Sequence, residues 1–323
     1  MDQYRIGVVG ASGRLGGIIH DRASILGIKV VPLSIRQLQE NTDAQDPANE
    51  FRGLNAVIFA APLTTNSLHC LALKADCHVV DVGISEQSIA DALALDSLAK
   101  AQDKVVVVMA GLAPGLSGLI GLELGRRFES AVRVDVTLLQ NSSGTAGKQG
   151  VCDMLDMLTN RERSSIVSLS NDSKTASLVA SNYLFELPTP EQHLLDGYRD
   201  SLETRYLTAF DSSAMNWQIR ILRLIRSISS SVYRFIRDRV AVSKSKQASP
   251  QDESISLIGS AYGREGVELG REHIRLVSDY GATADVALTM ANMAAKGELA
   301  PGAGHPSNFT DWPTIKAVSF ASK

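Results

Sequence analysis

Three glycines spaced three apart, placed directly after a short apolar run, constrain this chain most. Residues 6–16 read Ile-Gly-Val-Val-Gly-Ala-Ser-Gly-Arg-Leu-Gly. The run Ile6, Val8, Val9 predicts a buried strand, and a stretch of helical character follows to about Ala23. Gly10 allows a tight turn after the strand. Gly13 lets the backbone approach a pyrophosphate, which then sits at the helix N-terminus, where free N–H groups and the helix dipole favour an anion. Gly16 lets the helix pack closely on the strand. A glycine triplet alone is a weak signal, and a glycine-rich turn in some other α/β fold is the alternative. The position straight after an apolar strand supplies the context that the dinucleotide motif requires. The expected contacts in this loop are Gly10, Ser12, Gly13, Arg14, Leu15 and Gly16, with Arg14 adding positive charge.

The next segment bears on which dinucleotide. Residues 28–33, Ile-Lys-Val-Val-Pro-Leu, predict the second parallel strand. An acid at its end takes the ribose 2′-hydroxyl of NAD, whereas an arginine suits the 2′-phosphate of NADP. This chain has Ser34-Ile35-Arg36 there and no acid until Glu40. Arg36 can pair with a phosphate through its guanidinium fork and Ser34 can donate a hydroxyl. The expected cofactor is NADP, with NAD as the alternative; a solvated surface arginine is the plainer reading of Arg36.

Further apolar runs at 56–60, 78–82 and 104–109 alternate with helical spacing at 65–75 and 86–101. Near-continuous Val/Ile runs between amphipathic helices predict a parallel sheet covered on both faces. Ligands lie beyond the carboxyl ends of such strands. That brings Ala60, Ala61 and Pro62, then Asp81, Val82 and Gly83, and then Gly111 to the same crevice as the glycine loop. Beyond a helix ending near Phe128, residues 132–140 alternate apolar Val132, Val134, Val136 and Leu138 with Arg133, Asp135 and Thr137. This is the mark of a half-buried strand with one solvated face. Further strands are expected at 165–170, 183–187, 255–262 and 274–280, and helices at 149–158 and 282–298. The expected fold class is α/β, an N-terminal parallel sheet over 1–130 followed by a second, α+β domain with a largely antiparallel sheet over 131–299. The segment 300–323 is expected to pack back on the first domain. The second domain would bind substrate and serve dimerisation.

A length of 323 residues favours two domains over one core. The net charge of −3 argues against general nucleic-acid binding. Cys70, Cys77 and Cys152 lack metal-ligand spacing, and no His, Cys and acid cluster suggests a metal, so reduced thiols in a cytoplasmic protein are the simplest account. A strand begins almost at the first residue, which leaves no room for a signal peptide, and no apolar run reaches the roughly 18 residues of a membrane span.

The glycine loop, Val-Asp-Val-Gly at 80–83 and Ala-Gly-Leu-Ala-Pro-Gly-Leu-Ser at 110–117 together resemble the NADP-binding domain of the saccharopine dehydrogenase-like family. The strand 132–140, Gly-Ala-Thr-Ala-Asp-Val-Ala at 281–287 and Pro-Gly-Ala-Gly-His-Pro at 301–306 are similar to short members of it. The resemblance covers most of 4–125 and 255–310 and is weak between 160 and 250. It implies a Rossmann domain joined to a mixed α/β domain, and NAD(P)H-dependent reduction of an imine formed from an amine and a keto acid, or the reverse oxidation. Family members also include polyamine-forming enzymes and enoyl reductases, so the substrate does not follow from the fold. A weaker echo, Ser143-Gly-Thr-Ala146, is similar to the substrate loop of dihydrodipicolinate reductases, but the histidine and lysine motif around that loop is missing.

A protonated iminium is electrophilic by itself, so side chains that hold carboxylates matter more than a strong acid. Lys148, after a Gly/Ser/Thr loop at a helix start, is the leading candidate, with Arg264 and Arg271 behind it. A cation is unfavourable at a helix N-terminus, which hints at a nearby anion. Asp81, ending an apolar strand, is the best candidate acid; it could equally cap the next helix. His305 reads as a surface-loop histidine. From Trp217 to Lys246 stand eight basic residues and one acid, Asp238, interleaved with apolar residues at helical spacing. Such a segment could lie on an anionic membrane surface or bind an acidic partner. The commoner arrangement packs the apolar face on the fold or a second subunit and leaves the arginines in water. The leading reading is an NADP(H)-dependent oxidoreductase acting on a small carboxylate or amine; the other is a non-catalytic NADP-binding sensor or scaffold that docks through its basic helix.

Overall fold

The computed structural model describes residues 4–40, 48–63, 65–144, 148–169, 179–192, 199, 202–245 and 253–320. Its elements run β1 (Arg5–Val9), α1 (Arg14–Ile25), β2 (Lys29–Leu33), α2 (Ile35–Glu40), β3 (Ala56–Phe59), α3 (Ser67–Lys74), β4 (His78–Asp81), α4 (Glu86–Leu93), α5 (Asp96–Ala101), β5 (Val105–Val107) and α6 (Leu116–Arg127). There follow β6 (Arg133–Gln140), α7 (Lys148–Thr159), β7 (Ile166–Ser168), β8 (Tyr183–Glu186), β9 (Glu203–Phe210), α8 (Ser213–Ile228), α9 (Ser230–Ser245), β10 (Ile255–Tyr262), β11 (Glu268–Leu276), α10 (Asp279–Ala295), β12 (Gly302–Gly304) and α11 (Trp312–Phe320). The chain divides into two compact units, one of residues 1–119 with 280–323 and the other of 120–279.

In the first unit six parallel strands stand in the order β12-β5-β4-β3-β1-β2. Every residue of β3 and β5 is buried, as expected of strands covered on both faces. The helix expected over 86–101 is broken between α4 and α5. The break places Asp96 at the start of α5, where its carboxylate accepts the Ala303 amide at 3.0 Å and so ties β12 to the sheet edge.

In the second unit the strand order is β11-β10-β6-β9-β8-β7, antiparallel throughout except for β6 beside β9. The central strand β9 was not anticipated from the sequence. The strand expected at 274–280 lies earlier, at Glu268–Leu276, because a tight turn closed by the Gly263 amide on the Val267 carbonyl starts its pairing with β10 sooner; helix α10 takes over at Asp279. The alternating face of β6 is also not solvated. Asp135 and Thr137 are buried, and Arg205 of β9 grips Asp135 through two hydrogen bonds of 2.8 and 2.7 Å. On the opposite face α7, α8 and α9 bury Leu155, Leu158, Ile219, Leu222 and Tyr233 against Phe185 and Phe210.

Strand β4 is bracketed by two polar side chains. At its start, the His78 Nδ1 accepts the Val105 amide at 3.1 Å, joining β4 to β5. At its end, Asp81 is expected to face the crevice as an acid; instead it is buried and both its oxygens are engaged. One meets His69 Nε2 of α3 at 2.8 Å and the other accepts the Gly83 amide at 2.6 Å. His69 is fully buried against the Phe59 ring, and its Nδ1 has no hydrogen-bond partner among the described residues.

Burial, reinforced by the Lys104 charge, lowers the His78 pKa from 6.5 to about 4. The unfolded chain therefore binds the proton that the folded chain refuses. The stability His78 contributes is full above pH 6.5 and is lost as pH falls towards 4. Melting curves over this range should fall more steeply for the wild type than for His78→Asn, whose carboxamide oxygen can still accept the Val105 amide; parallel curves refute the assignment. His69→Leu leaves one Asp81 oxygen buried without its donor. It should cost about 1–3 kcal/mol in denaturant titration, and an unchanged midpoint would show that the pair contributes nothing.

Candidate functional site

The glycine loop lies at the carboxyl end of β1, where the chain passes to β2 on one side and to β3 on the other. This is the switch point at which sheets of this kind bind ligands. Gly10 has φ +84°, and a Cβ there would stand 2.8 Å from the Ala61 Cβ and 3.2 Å from the Ala60 backbone. Ala60 and Ala61 are thus held directly against the loop, with the Ala60 amide donating to the Val9 carbonyl at 3.0 Å. Gly16 packs α1 on the turn: a Cβ would lie 2.3 Å from the Gly10 carbonyl oxygen and 2.6 Å from the Ala11 Cα. Gly13 caps α1 with an ordinary extended backbone (φ −77°, ψ 167°), so its own conformation does not demand glycine. A Cβ there would stand 3.2 Å from the Gly10 carbonyl oxygen, and both Gly13 and Ser12 are exposed at the helix start. The first turn of α1 carries no acid, and its leading amides have no intrahelical acceptors. The Arg14 guanidinium stacks over the Tyr280 ring at 4.9 Å; Leu15 is half-buried beside it.

At the end of β2 the residues expected to choose the cofactor are exposed. Ser34 accepts the Gln37 amide at 3.4 Å and so caps α2. Arg36 lies on α2 rather than in a loop, and its Nε pairs with Glu40 at 2.7 Å with 86% of the side chain exposed. A surface pair of this sort contributes about 0–1 kcal/mol, so a phosphate can compete for the guanidinium.

The other strand ends are mostly buried turns. The Val82 amide donates to Phe59, and the Ala110 amide to Asp81. Residues 110–117, which carried the family resemblance most specifically, form a buried knot. Gly115 has φ +128°, and a Cβ there would lie 2.2 Å from the Gly111 oxygen; the Leu112 amide donates to Thr283. Pro62 is exposed at the rim, while Gly111 is buried within the knot.

In the second unit, Lys148 is exposed as the first residue of α7, and residues 145–147 of the expected substrate loop lie outside the described residues. Arg264 is exposed in the β10–β11 turn and Arg271 pairs with Glu268 at 2.7 Å. His305, expected on a surface loop, is fully buried; its Nδ1 accepts the Ser307 amide and caps a short 3-10 turn. Sequence reasoning missed a cavity of about 100 Å³ between the sheet and α7, α8 and α9. Leu138, Val151, Leu155, Phe210, Ile219 and Ile255 wall it, and Gln140, Lys244, Glu253 and Asp279 add polar groups. A single water needs about 10–15 Å³ on this measure, so the space admits a short aliphatic group. Lys244 donates to the Ser142 carbonyl at 2.7 Å and is held at this cavity. The signal that could have found it is Lys244 as the basic residue in the last turn of α9, but which cations turn inward depends on the packing.

No protein-family model matches the sequence. No curated protein matches it either. Among solved structures, the chain is similar to a C. glutamicum DAP dehydrogenase in complex with DAP, at 12% identity and a TM-score of 0.55, over 98% of this chain and 96% of that one. It is similar also to an engineered D-amino acid dehydrogenase bound to NADP+, at 11% identity and a TM-score of 0.52, over 97% and 95% of the two chains. Neither is named as a saccharopine dehydrogenase. At these identities the likeness speaks for the fold: a Rossmann-type parallel sheet with a second unit built on a largely antiparallel sheet.

Proposed function

We propose that the chain is an NADP(H)-dependent oxidoreductase that reduces an imine, or oxidises a secondary amine, derived from an amino acid or polyamine, as saccharopine dehydrogenase-like enzymes do. The observation that carries this reading is the glycine loop opening onto the acid-free N-terminus of α1 at the switch point of the sheet. The residues fit the cofactor. A pyrophosphate takes the space over Gly13 and the helix-start amides of Leu15 and Gly16. Ser34 and Arg36 take a ribose 2′-phosphate, and Ala60, Ala61 and Pro62 line the approach from β3. The DAP and NADP+ held by the two similar structures support an amino-acid substrate and this cofactor.

Once bound, the nicotinamide supplies or accepts the hydride. The chain's own part is to bind, orient and exclude water. In the second unit Lys244 offers its remaining donors to a substrate carboxylate, Glu253 and Asp279 suit an amine, and the apolar wall takes a short side chain. Lys148, at the start of α7, is proposed as a further cation for the carboxylate. Asp81 is occupied by His69 and the Gly83 amide, so its proposed role is to hold the Val82–Gly83 turn rather than to move a proton.

Fluorescence titration should show tighter binding of NADPH than of NADH. Arg36→Ala should weaken NADPH alone by about 1.5–3 kcal/mol, roughly tenfold to a hundredfold; equal losses for both cofactors remove Arg36 from the site. Gly13→Val should lose both cofactors with its melting transition intact, and normal affinity in that variant would move the nucleotide elsewhere.

With NADPH and paired amines and keto acids, Lys244→Met should raise KM for the carboxylate-bearing partner by roughly tenfold or more, and Lys148→Met by less. NADPH affinity should stay unchanged in both. Full activity in both variants sinks the assignment of the carboxylate.

A further inference from the structure

The basic segment packs its apolar face on the fold as expected, but not all of its arginines stay in water. Its inner face is apolar, with Ile219, Leu222, Tyr233 and Ala241 in the core, but three of its arginines also turn inward. Arg223 is buried and donates to the carbonyls of Leu158 and Ser164. Arg226 donates to the Asp156 carbonyl and the Thr159 hydroxyl, and Arg237 pairs with Asp156 and Asp238. These cations serve as internal clamps on α7 and its following loop.

Large apolar side chains face outward in exchange. Trp217, Leu224, Ile228, Val232 and Phe235 are 50–77% exposed. They make up five of the twelve exposed large apolar residues among the described ones, all within α8 and α9. Their spacing sets them in rows. Trp217, Leu224 and Ile228 follow one helical stripe, with Arg220 filling the gap; Val232, Phe235 and Arg239 continue at i, i+3 and i+7 on α9. Ile228 is the last residue of α8, Val232 lies in the first turn of α9, and Ser229 between the helices accepts the Val232 amide at 3.4 Å. Exposed Arg220, Arg234 and Arg239 accompany them, and the Arg239 guanidinium lies 5.0 Å over the Phe235 ring. The only acid in the two helices, Asp238, is tied to Arg237. A cationic, apolar stripe on a chain of net charge −3 runs against the average of the molecule.

We infer that the outer stripe of α8 and α9 docks on the surface of an anionic lipid bilayer. Charge decides between this occupant and a second copy of the chain. In a two-fold contact the stripe would meet itself, setting Arg220, Arg234 and Arg239 against the same three cations with no free acid to answer them. Lipid phosphates supply the missing charge, and indole and phenyl rings favour the boundary between headgroup and acyl chain. No helix among the described residues is long and apolar enough to cross a membrane, so the contact lies in the interface plane. The inference is independent of the proposed chemistry.

Trp217 makes the test direct. The chain has two tryptophans, and the other, Trp312, is 4% exposed. The full chain is mixed with vesicles of phosphatidylcholine, alone or with phosphatidylglycerol. With phosphatidylglycerol present, emission should shift to the blue and the protein should sediment with the vesicles, less so at high salt. Trp217→Phe should lose the shift and keep most of the sedimentation. Leu224→Ser with Phe235→Ser should cut partitioning roughly tenfold or more. Arg234→Gln with Arg239→Gln should abolish most of the preference for the anionic lipid; Arg220, whose guanidinium lies 4.9 Å over the Tyr183 ring at the core, is left in place. Equal binding to both vesicle types, or no binding, overturns the inference. So does a blue shift that grows with protein concentration without lipid, alongside a doubled mass in light scattering, which would make the occupant a second copy.

Discussion

The absent Cβ of Gly16 sits where the first helix crosses the turn that launches it. The Gly10 carbonyl oxygen would be 2.3 Å from any side-chain carbon at that position, well inside contact distance, and the Ala11 Cα 2.6 Å. Because nothing is there, α1 can lie against the end of β1 with its N-terminus pointing along the crevice. Gly10 does the complementary work, with a positive φ and a gap of 2.8 Å to the Ala61 Cβ that would close on any substituent. The two glycines bring β1, α1 and the end of β3 to one place. The position of the α1 N-terminus at Gly13 depends on that approach.

The second unit follows a different logic. One sheet face is covered by three helices around an apolar core, and the other carries an ionic cluster of Arg133, Asp135 and Arg205. The cations of α8 and α9 are divided by what lies opposite them. Where carbonyls of α7 and its following loop are left without donors, Arg223 and Arg226 turn in to meet them. Where nothing polar waits, the arginines stay outside among Trp217, Leu224 and Phe235. Lys244 falls between these cases, held by the Ser142 carbonyl at the cavity.

Much of the first unit was legible from residues alone. Strands β1, β3, β4 and β5 are Val/Ile-rich runs of the kind that a sheet covered on both sides buries, whereas β12, Gly-Ala-Gly, carries no such signal. The glycine spacing carries a steric requirement at Gly10 and Gly16. The second unit was harder to read. Strand β9 mixes polar and apolar residues: half-buried Arg205 grips Asp135 of β6 and buried Thr208 donates to the Leu138 carbonyl, while the buried Thr204 hydroxyl has no hydrogen-bond partner among the described residues. That pairing joins residues some 70 positions apart, and no local pattern announces it. His69 was invisible for the same reason: a histidine in a short helix has no signature until Asp81 is folded against it.

The sequence by itself determined the kind of first unit, the place of the glycine loop in it, the change of sheet class after α6, and the helical character of the basic segment. These follow from periodicity and from the steric needs of single residues, which are local properties. Tertiary structure alone decided which polar groups are spent on the fold. It buried Asp81, His305 and Arg223, put Arg36 on a helix beside Glu40, and turned apolar side chains of α8 and α9 to the outside. Arg223 is met by carbonyls from α7 and its following loop and Asp81 by His69 of α3, partners that only the fold brings within reach, whereas His305 and Arg36 are met within their own turns of chain; burial of a polar group is costly unless it is met.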